Sequence, residues 1–269
     1  MGIAAPTCHS LDYTDVVNAL RHLLGDDANL DPAAARRRLQ ALLTRQQPGT
    51  LPDVCWPLLD DLWADEARRR NTTPATKLQR LSKTGWASRV SLWRGDITTL
   101  EVDAIVNAAN AQLTGCYVPF HACVDNAIHT AAGPRLREEC GRRMAARGRP
   151  EPAGTATATS GGFLRARYVL HTVGPIVRDR DPSRRDAEAL GRCYTACLDV
   201  GGQLACSVAF PSISTGVFGY PISAAAPLAV ATVKAWLENN ETIDHVVLVT
   251  YSEEDESSYE IAIQEAFDV

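Results

Sequence analysis

Over the first 76 positions, apolar residues recur at helical spacing in Leu11, Val16, Leu20 and Leu23, then in Leu39, Leu42 and Leu43, then in Leu58, Leu59, Leu62 and Trp63. Positions three and four apart share a helix face, so the pattern predicts three short amphipathic helices. The punctuation agrees. Asp31-Pro32 supplies an N-cap and a first-turn proline, and Pro48-Gly49 and Leu51-Pro52 interrupt the chain before the third pattern. The run Asp65-Glu66-Ala67-Arg68-Arg69-Arg70, followed by Asn71-Thr72-Thr73-Pro74, reads as a solvated helix end entering a linker.

From about residue 77 short β-rich runs alternate with longer helical ones, the pattern of an α/β fold. Strands are predicted at Val90–Trp93, Ala104–Asn107, Tyr168–Thr172, Val208–Phe210 and Val246–Thr250, with a weaker alternating run at Thr155–Thr159. Helices are predicted at Asn126–Met144, Arg184–Val200, Ser223–Glu238 and Glu253–Ala266. The apolar strands among these predict a sheet covered by helices on both faces. The chain thus divides into a helical extension, 1–76, and an α/β unit, 77–269.

Composition narrows the functional classes. With 269 residues and 45% hydrophobic content, the chain has enough apolar material for an ordinary core. A net charge of −5 and a pI near 5.7 argue against a surface built for nucleic acid or an anionic membrane. No apolar run reaches the roughly 18 residues of a membrane span, and the N-terminus lacks the charged-then-apolar pattern of an export signal. Eight cysteines are too sparse for a disulfide scaffold, so a reducing, cytoplasmic compartment is expected.

The densest chemistry lies in Thr114–His129, where Cys116, His121 and Cys123 place two thiols and an imidazole within eight residues. Sulfur and imidazole together suit Zn²⁺, and three protein ligands leave a fourth position open, as catalytic zinc sites do. A structural zinc would require a fourth protein ligand, for which His129 is the nearby candidate. A metal-free reading makes the cysteines small buried residues. Asp125 falls at the start of the predicted helix, where the positive end of the dipole favours a carboxylate. Three further loops follow strands, where α/β sheets bind ligands. Gly95-Asp96-Ile97-Thr98 offers a carboxylate able to accept from an amino group, though such a loop is also an ordinary turn. Asn107 and Asn110 offer amides that donate and accept, as ribose hydroxyls require; asparagine at a strand end also forms turns. In Pro211–Pro221, small residues expose backbone N–H groups able to cradle a diphosphate, without the ending of a P-loop. His171 reads as core, as do Cys193 and Cys197 on one helix face.

Taken in order, Trp93–Ile97, Val102–Asn110, Val124–His129, Tyr168–Pro175 and Pro211–Pro221 resemble a macrodomain, the ADP-ribose-binding module. The resemblance covers about residues 86 to 269 and implies a three-layer α/β/α fold with a mixed central sheet. The interval from Asn110 to Asp125 is longer than hydrolytic macrodomains commonly have, and it holds the Cys/His/Cys set. In this it resembles the zinc-dependent subgroup, which removes mono-ADP-ribose from proteins and often carries a helical N-terminal extension. That resemblance implies adenine contacts from Asp96 and Ile97. It implies a distal-ribose contact from Asn110, beside the ribose reading of Asn107 given above, and diphosphate and distal-ribose contacts from Ser214, Thr215, Gly216, Val217, Phe218, Gly219 and Tyr220. It implies zinc on Cys116, His121 and Cys123, with Asp125 and Asn110 in catalysis. The expected activity is zinc-dependent hydrolysis of mono-ADP-ribosylated protein, at Asp or Glu linkages. A non-catalytic ADP-ribose reader and an O-acetyl-ADP-ribose deacetylase are the alternatives.

Overall fold

Residues 12–267 are described by a computed structural model, which leaves Leu11 and Cys8 outside the described residues. The three predicted N-terminal helices are present as α1 (Tyr13–Leu23), α2 (Pro32–Arg45) and α3 (Cys55–Arg69). Asp31 caps α2 as its sequence indicates, accepting from the N–H groups of Ala33 and Ala34. Val17, Leu20, Leu39, Leu59, Leu62 and Trp63 close into one apolar cluster, to which Phe163 of the α/β unit adds an edge.

The strands are β1 (Thr73–Pro74), β2 (Val90–Arg94), β3 (Leu100–Glu101), β4 (Ala104–Ala108), β5 (Ala156–Ser160), β6 (Tyr168–Thr172), β7 (Ser207–Phe210) and β8 (His245–Thr250). Short β1 and β3 pair with each other, and the other six form one sheet in the order β2-β8-β7-β4-β6-β5. All of its pairings are parallel except β5 with β6, so the sheet is mixed. The remaining helices are α4 (Val124–Ala132), α5 (Pro134–Arg147), α6 (Arg184–Leu204), α7 (Ile222–Asn239) and α8 (Glu253–Phe267).

Side chains alternate across a pleated strand, and here both faces are buried. Val106, Leu170, Val208, Phe210, Val246 and Leu248 pack under α6, α7 and α8. Ile105, Val169, Ala209, Val247 and Val249 pack on the other face with Ile128, Leu136 and Cys140 of α4 and α5. No helix among the described residues is long and apolar enough to cross a membrane.

The predicted helix Asn126–Met144 is two helices. Gly133 has φ of 88° and precedes Pro134, whose ring disfavours a helical residue before it. A Cβ at Gly133 would also lie 3.0 Å from Trp63 of α3 and 3.1 Å from Phe163. Trp63 Nε1 donates to Thr130 O near the end of α4, at 2.8 Å.

Candidate functional site

Because β2, β8, β7, β4 and β6 are parallel, their carboxyl ends reach one edge of the sheet, and the loops singled out in the sequence meet there. After β2, the Asp96 carboxylate accepts from Thr98 N at 2.9 Å and Thr98 Oγ1 at 2.8 Å, capping a 3₁₀ turn, with Ile97 buried beneath it. Asp96 itself remains exposed.

After β4, the two asparagines take different places. Asn107 has no exposed surface, so it lies beneath the site rather than on its wall. Its Nδ2 donates to Asp125 Oδ1 at 2.8 Å and lies 3.1 Å from His171 Nδ1. A carboxylate only accepts, so the amide nitrogen faces Asp125, and its second hydrogen makes His171 Nδ1 an acceptor. That leaves the His171 proton on Nε2, 2.9 Å from Thr159 Oγ1. Half-buried Asn110 donates from Nδ2 to Gly115 O at 3.0 Å and to Asp125 Oδ2 at 3.3 Å, while its Oδ1 accepts from Gln112 N. Both oxygens of Asp125 are therefore held by amides of one strand end. Burial pushes the Asp125 carboxyl up to about 6, against the opposing pull of Asn107, Arg137 and Asn110.

The Thr114–Cys123 loop brings Cys116, His121 and Cys123 together, with one donor atom from each within 4.8 Å of the others. Cys116 Sγ lies 3.7 Å from His121 Nδ1. Sulfur and nitrogen ligands of a tetrahedral zinc stand about 3.6 Å apart, so the donor set and its spacing fit that ion. All three residues are partly accessible. Cys123 caps α4, its sulfur accepting from Asn126 N at 3.4 Å. Burial pushes its thiol up to about 11, with Cys116 and Asp125 adding in the same direction. A cation among these groups would favour the thiolate.

His129 does not join this set. It groups with Cys140 and His171 in the core, again with donor atoms within 4.8 Å. This second cluster is a poor metal site, because the proton that Asn107 and Thr159 fix on His171 Nε2 occupies the nitrogen nearest Cys140, 3.7 Å away. Gly115 is required between the two clusters: its φ is 82°, and a Cβ there would stand 2.7 Å from the His129 ring.

After β7, the loop Pro211–Pro221 turns back on itself, with Tyr220 N donating to Ser214 O at 3.0 Å and Ser214 at φ of 67°. Thr215, Gly216, Val217, Phe218 and Gly219 form its accessible tip, whereas Ser214 and Tyr220 are buried. The tip is seated against the β6 loop, since Val177 N donates to Phe218 O at 2.7 Å. A Cβ at Gly174 would lie 1.9 Å from Ser214 Oγ, so glycine permits this close approach.

Arg137 gave no signal in the sequence. It is 8% exposed and donates to Cys116 O at 3.1 Å from the face of α5. Only tertiary placement separates it from Arg135, Arg142 and Arg143 in the same charged run.

Comparison with known proteins agrees with this geometry. The Macro domain family matches residues 106–229. A protein-ADP-ribose hydrolase of Treponema medium is 50% identical over 169 residues, covering 62% of this chain and 64% of that protein. The chain thus aligns with less than two thirds of that relative's length. A protein-ADP-ribose hydrolase of Staphylococcus aureus (strain COL) is 38% identical over 205 residues, 76% of either chain. The solved Trypanosoma brucei macrodomain in complex with ADP-ribose superposes with a TM-score of 0.64 at 26% identity, covering 88% of this chain and 97% of that one. With the sheet order, the strand-end loops and these likenesses in agreement, the chain belongs to the macrodomain family.

Proposed function

We propose that this protein is a zinc-dependent hydrolase that removes mono-ADP-ribose from modified proteins, acting on an Asp or Glu side chain esterified to the distal ribose. The observation that carries this reading is the convergence of Cys116, His121 and Cys123 on the loop that leads from Asn110 to Asp125. Relatives named as protein-ADP-ribose hydrolases support the hydrolytic part.

In this reading the Asp96 and Ile97 turn receives adenine, and the loop from Ser214 to Tyr220 presents the backbone N–H groups of its accessible tip to the diphosphate and the ribose beyond it. Asn110 orients the distal ribose. Asn107 acts one layer down, holding Asp125 Oδ1. Cys116, His121 and Cys123 would hold the zinc, which supplies Lewis acidity toward oxygen. Asp125 orients the attacking water and accepts its proton at a carboxylate oxygen, a role that contributes about 10²–10⁴-fold. Water adds across the ester link, giving ADP-ribose and a free carboxyl.

The test pairs zinc quantification with hydrolysis of Asp/Glu-linked and Ser-linked ADP-ribosyl proteins. Cys123→Ala is expected to lose turnover and to keep much of its ADP-ribose affinity, because the adenine and diphosphate contacts lie on other loops. ADP-ribose binding without turnover by zinc-loaded wild type would identify a reader instead. Faster turnover of O-acetyl-ADP-ribose than of modified protein would identify a deacetylase.

A further inference from the structure

A helix ends with carbonyls that have no intrahelical partner. At the end of α2, the carbonyls of Leu43 and Thr44, with that of the C-cap Gln46, meet one guanidinium from the α/β unit. Arg137 Nη1 gives its two hydrogens to Thr44 O at 2.6 Å and Gln46 O at 3.0 Å, with Leu43 O sharing one of them at 3.4 Å. The other arm, Nη2, donates to Cys116 O at 3.1 Å, and the guanidinium lies 4.5 Å from the Tyr117 ring centroid. One buried side chain therefore joins the negative end of a helix dipole to the backbone of a candidate zinc ligand.

A second tie lies four residues further on. The guanidinium of Arg37 in α2 stands 4.6 Å from the ring of Phe120. Phe120 has φ of 61°, a left-handed conformation that costs a residue with a Cβ, and immediately precedes His121. The end of α2, through Arg137 of α5, and Arg37 of α2 itself thus meet the loop at Cys116 and beside His121.

We propose that the N-terminal helical unit is a working part of the metal site, with Arg137 the positioning residue that fixes Cys116 and Arg37 a supporting contact at Phe120. The helices set the loop geometry before metal arrives, so ligand spacing is preorganised at lower entropic cost. Lysine cannot replace Arg137, because its ammonium is a point donor and cannot span the α2 carbonyls and Cys116 O together. The inference rests on reading Cys116, His121 and Cys123 as zinc ligands, although the bracing itself is measurable without metal.

The experiment uses full-length Arg137→Lys, Arg137→Met and Arg37→Ala, the last at a surface contact that leaves the core intact. In metal-free protein, amide exchange is followed at His121 and Cys123, whose N–H groups bond to Val118 O and His121 O. Zinc affinity is then measured by chelator competition, with ADP affinity and thermal stability as controls. Both Arg137 variants are expected to exchange faster in this loop and to bind zinc at least about 10-fold more weakly. Arg37→Ala should show a smaller change of the same sign, and ADP affinity should stay at the wild-type value. Wild-type loop exchange and zinc affinity in folded Arg137→Lys would overturn the proposal. Should wild type bind no zinc, the metal reading fails by itself, and unchanged exchange in Arg137→Lys and Arg37→Ala would separately remove the brace.

Discussion

Replacing Asn107 by alanine withdraws one amide nitrogen from two buried partners, Asp125 Oδ1 at 2.8 Å and His171 Nδ1 at 3.1 Å. At about pH 8 Asp125 is ionised, and a hydrogen bond to a charged group contributes about 1.5–3 kcal/mol. The orphaned imidazole nitrogen, on a residue with no exposed surface, costs a further 1–3 kcal/mol or so. Asn107→Ala should therefore lower the unfolding free energy by about 3–5 kcal/mol in equilibrium urea or guanidinium titrations. His171→Phe should cost less, because it leaves Asp125 bonded. In the double variant the orphaned nitrogen is gone, so the two effects should fall short of additivity by about 1–2 kcal/mol. Additivity to within about 0.5 kcal/mol would refute the network, and with it the tautomer that weighs against metal at His129, Cys140 and His171.

Two further outcomes follow from local geometry. The Cβ of Gly174→Ala would stand 1.9 Å from Ser214 Oγ, so Ser214 must move and ADP-ribose affinity by calorimetry should fall about 10-fold in the folded variant; unchanged affinity would separate Ser214 from the ligand. His245, 4% exposed with Nε2 at 2.9 Å from Ser91 Oγ, is pushed down to about 4 by burial, with Arg80 adding in the same direction. Its folded value lies below the unfolded one of about 6.5. Its contribution is therefore fully present above pH 6.5 and is lost as pH falls toward 4, by up to about 3 kcal/mol. His245→Gln should flatten the stability profile in that window, and a profile identical to wild type would contradict this.

Most of the sheet could be read from the chain because its strands are buried on both faces, as in Ala104-Ile105-Val106 and His245–Thr250. Caps with local chemistry, such as Asp31 before Pro32, were equally legible. The break at Gly133 had a local signal in the Gly133-Pro134 pair, but the apolar periodicity through Ile128, Ala132 and Leu136 runs across it and outweighed it. Backbone sterics before proline are written locally, whereas the packing of Trp63 against Gly133, distant in sequence, is not. The same limit applies to the site. Cys116, His121 and Cys123 could be found by their short spacing, but the burial that turns Asn107 inward depends on pairing among β4, β6 and β7. Arg137 stood hidden in a charged run, and its partners lie 21 and 91–94 residues away.

The most direct measurement of the central claim follows one sample through metal removal and return. Purified protein is assayed for zinc content and for release of ADP-ribose from an Asp/Glu-linked substrate, before chelation, after it and after reloading. The account predicts about one zinc per chain, loss of turnover on stripping and its recovery with the metal. Undiminished turnover in protein shown to hold no zinc would contradict it.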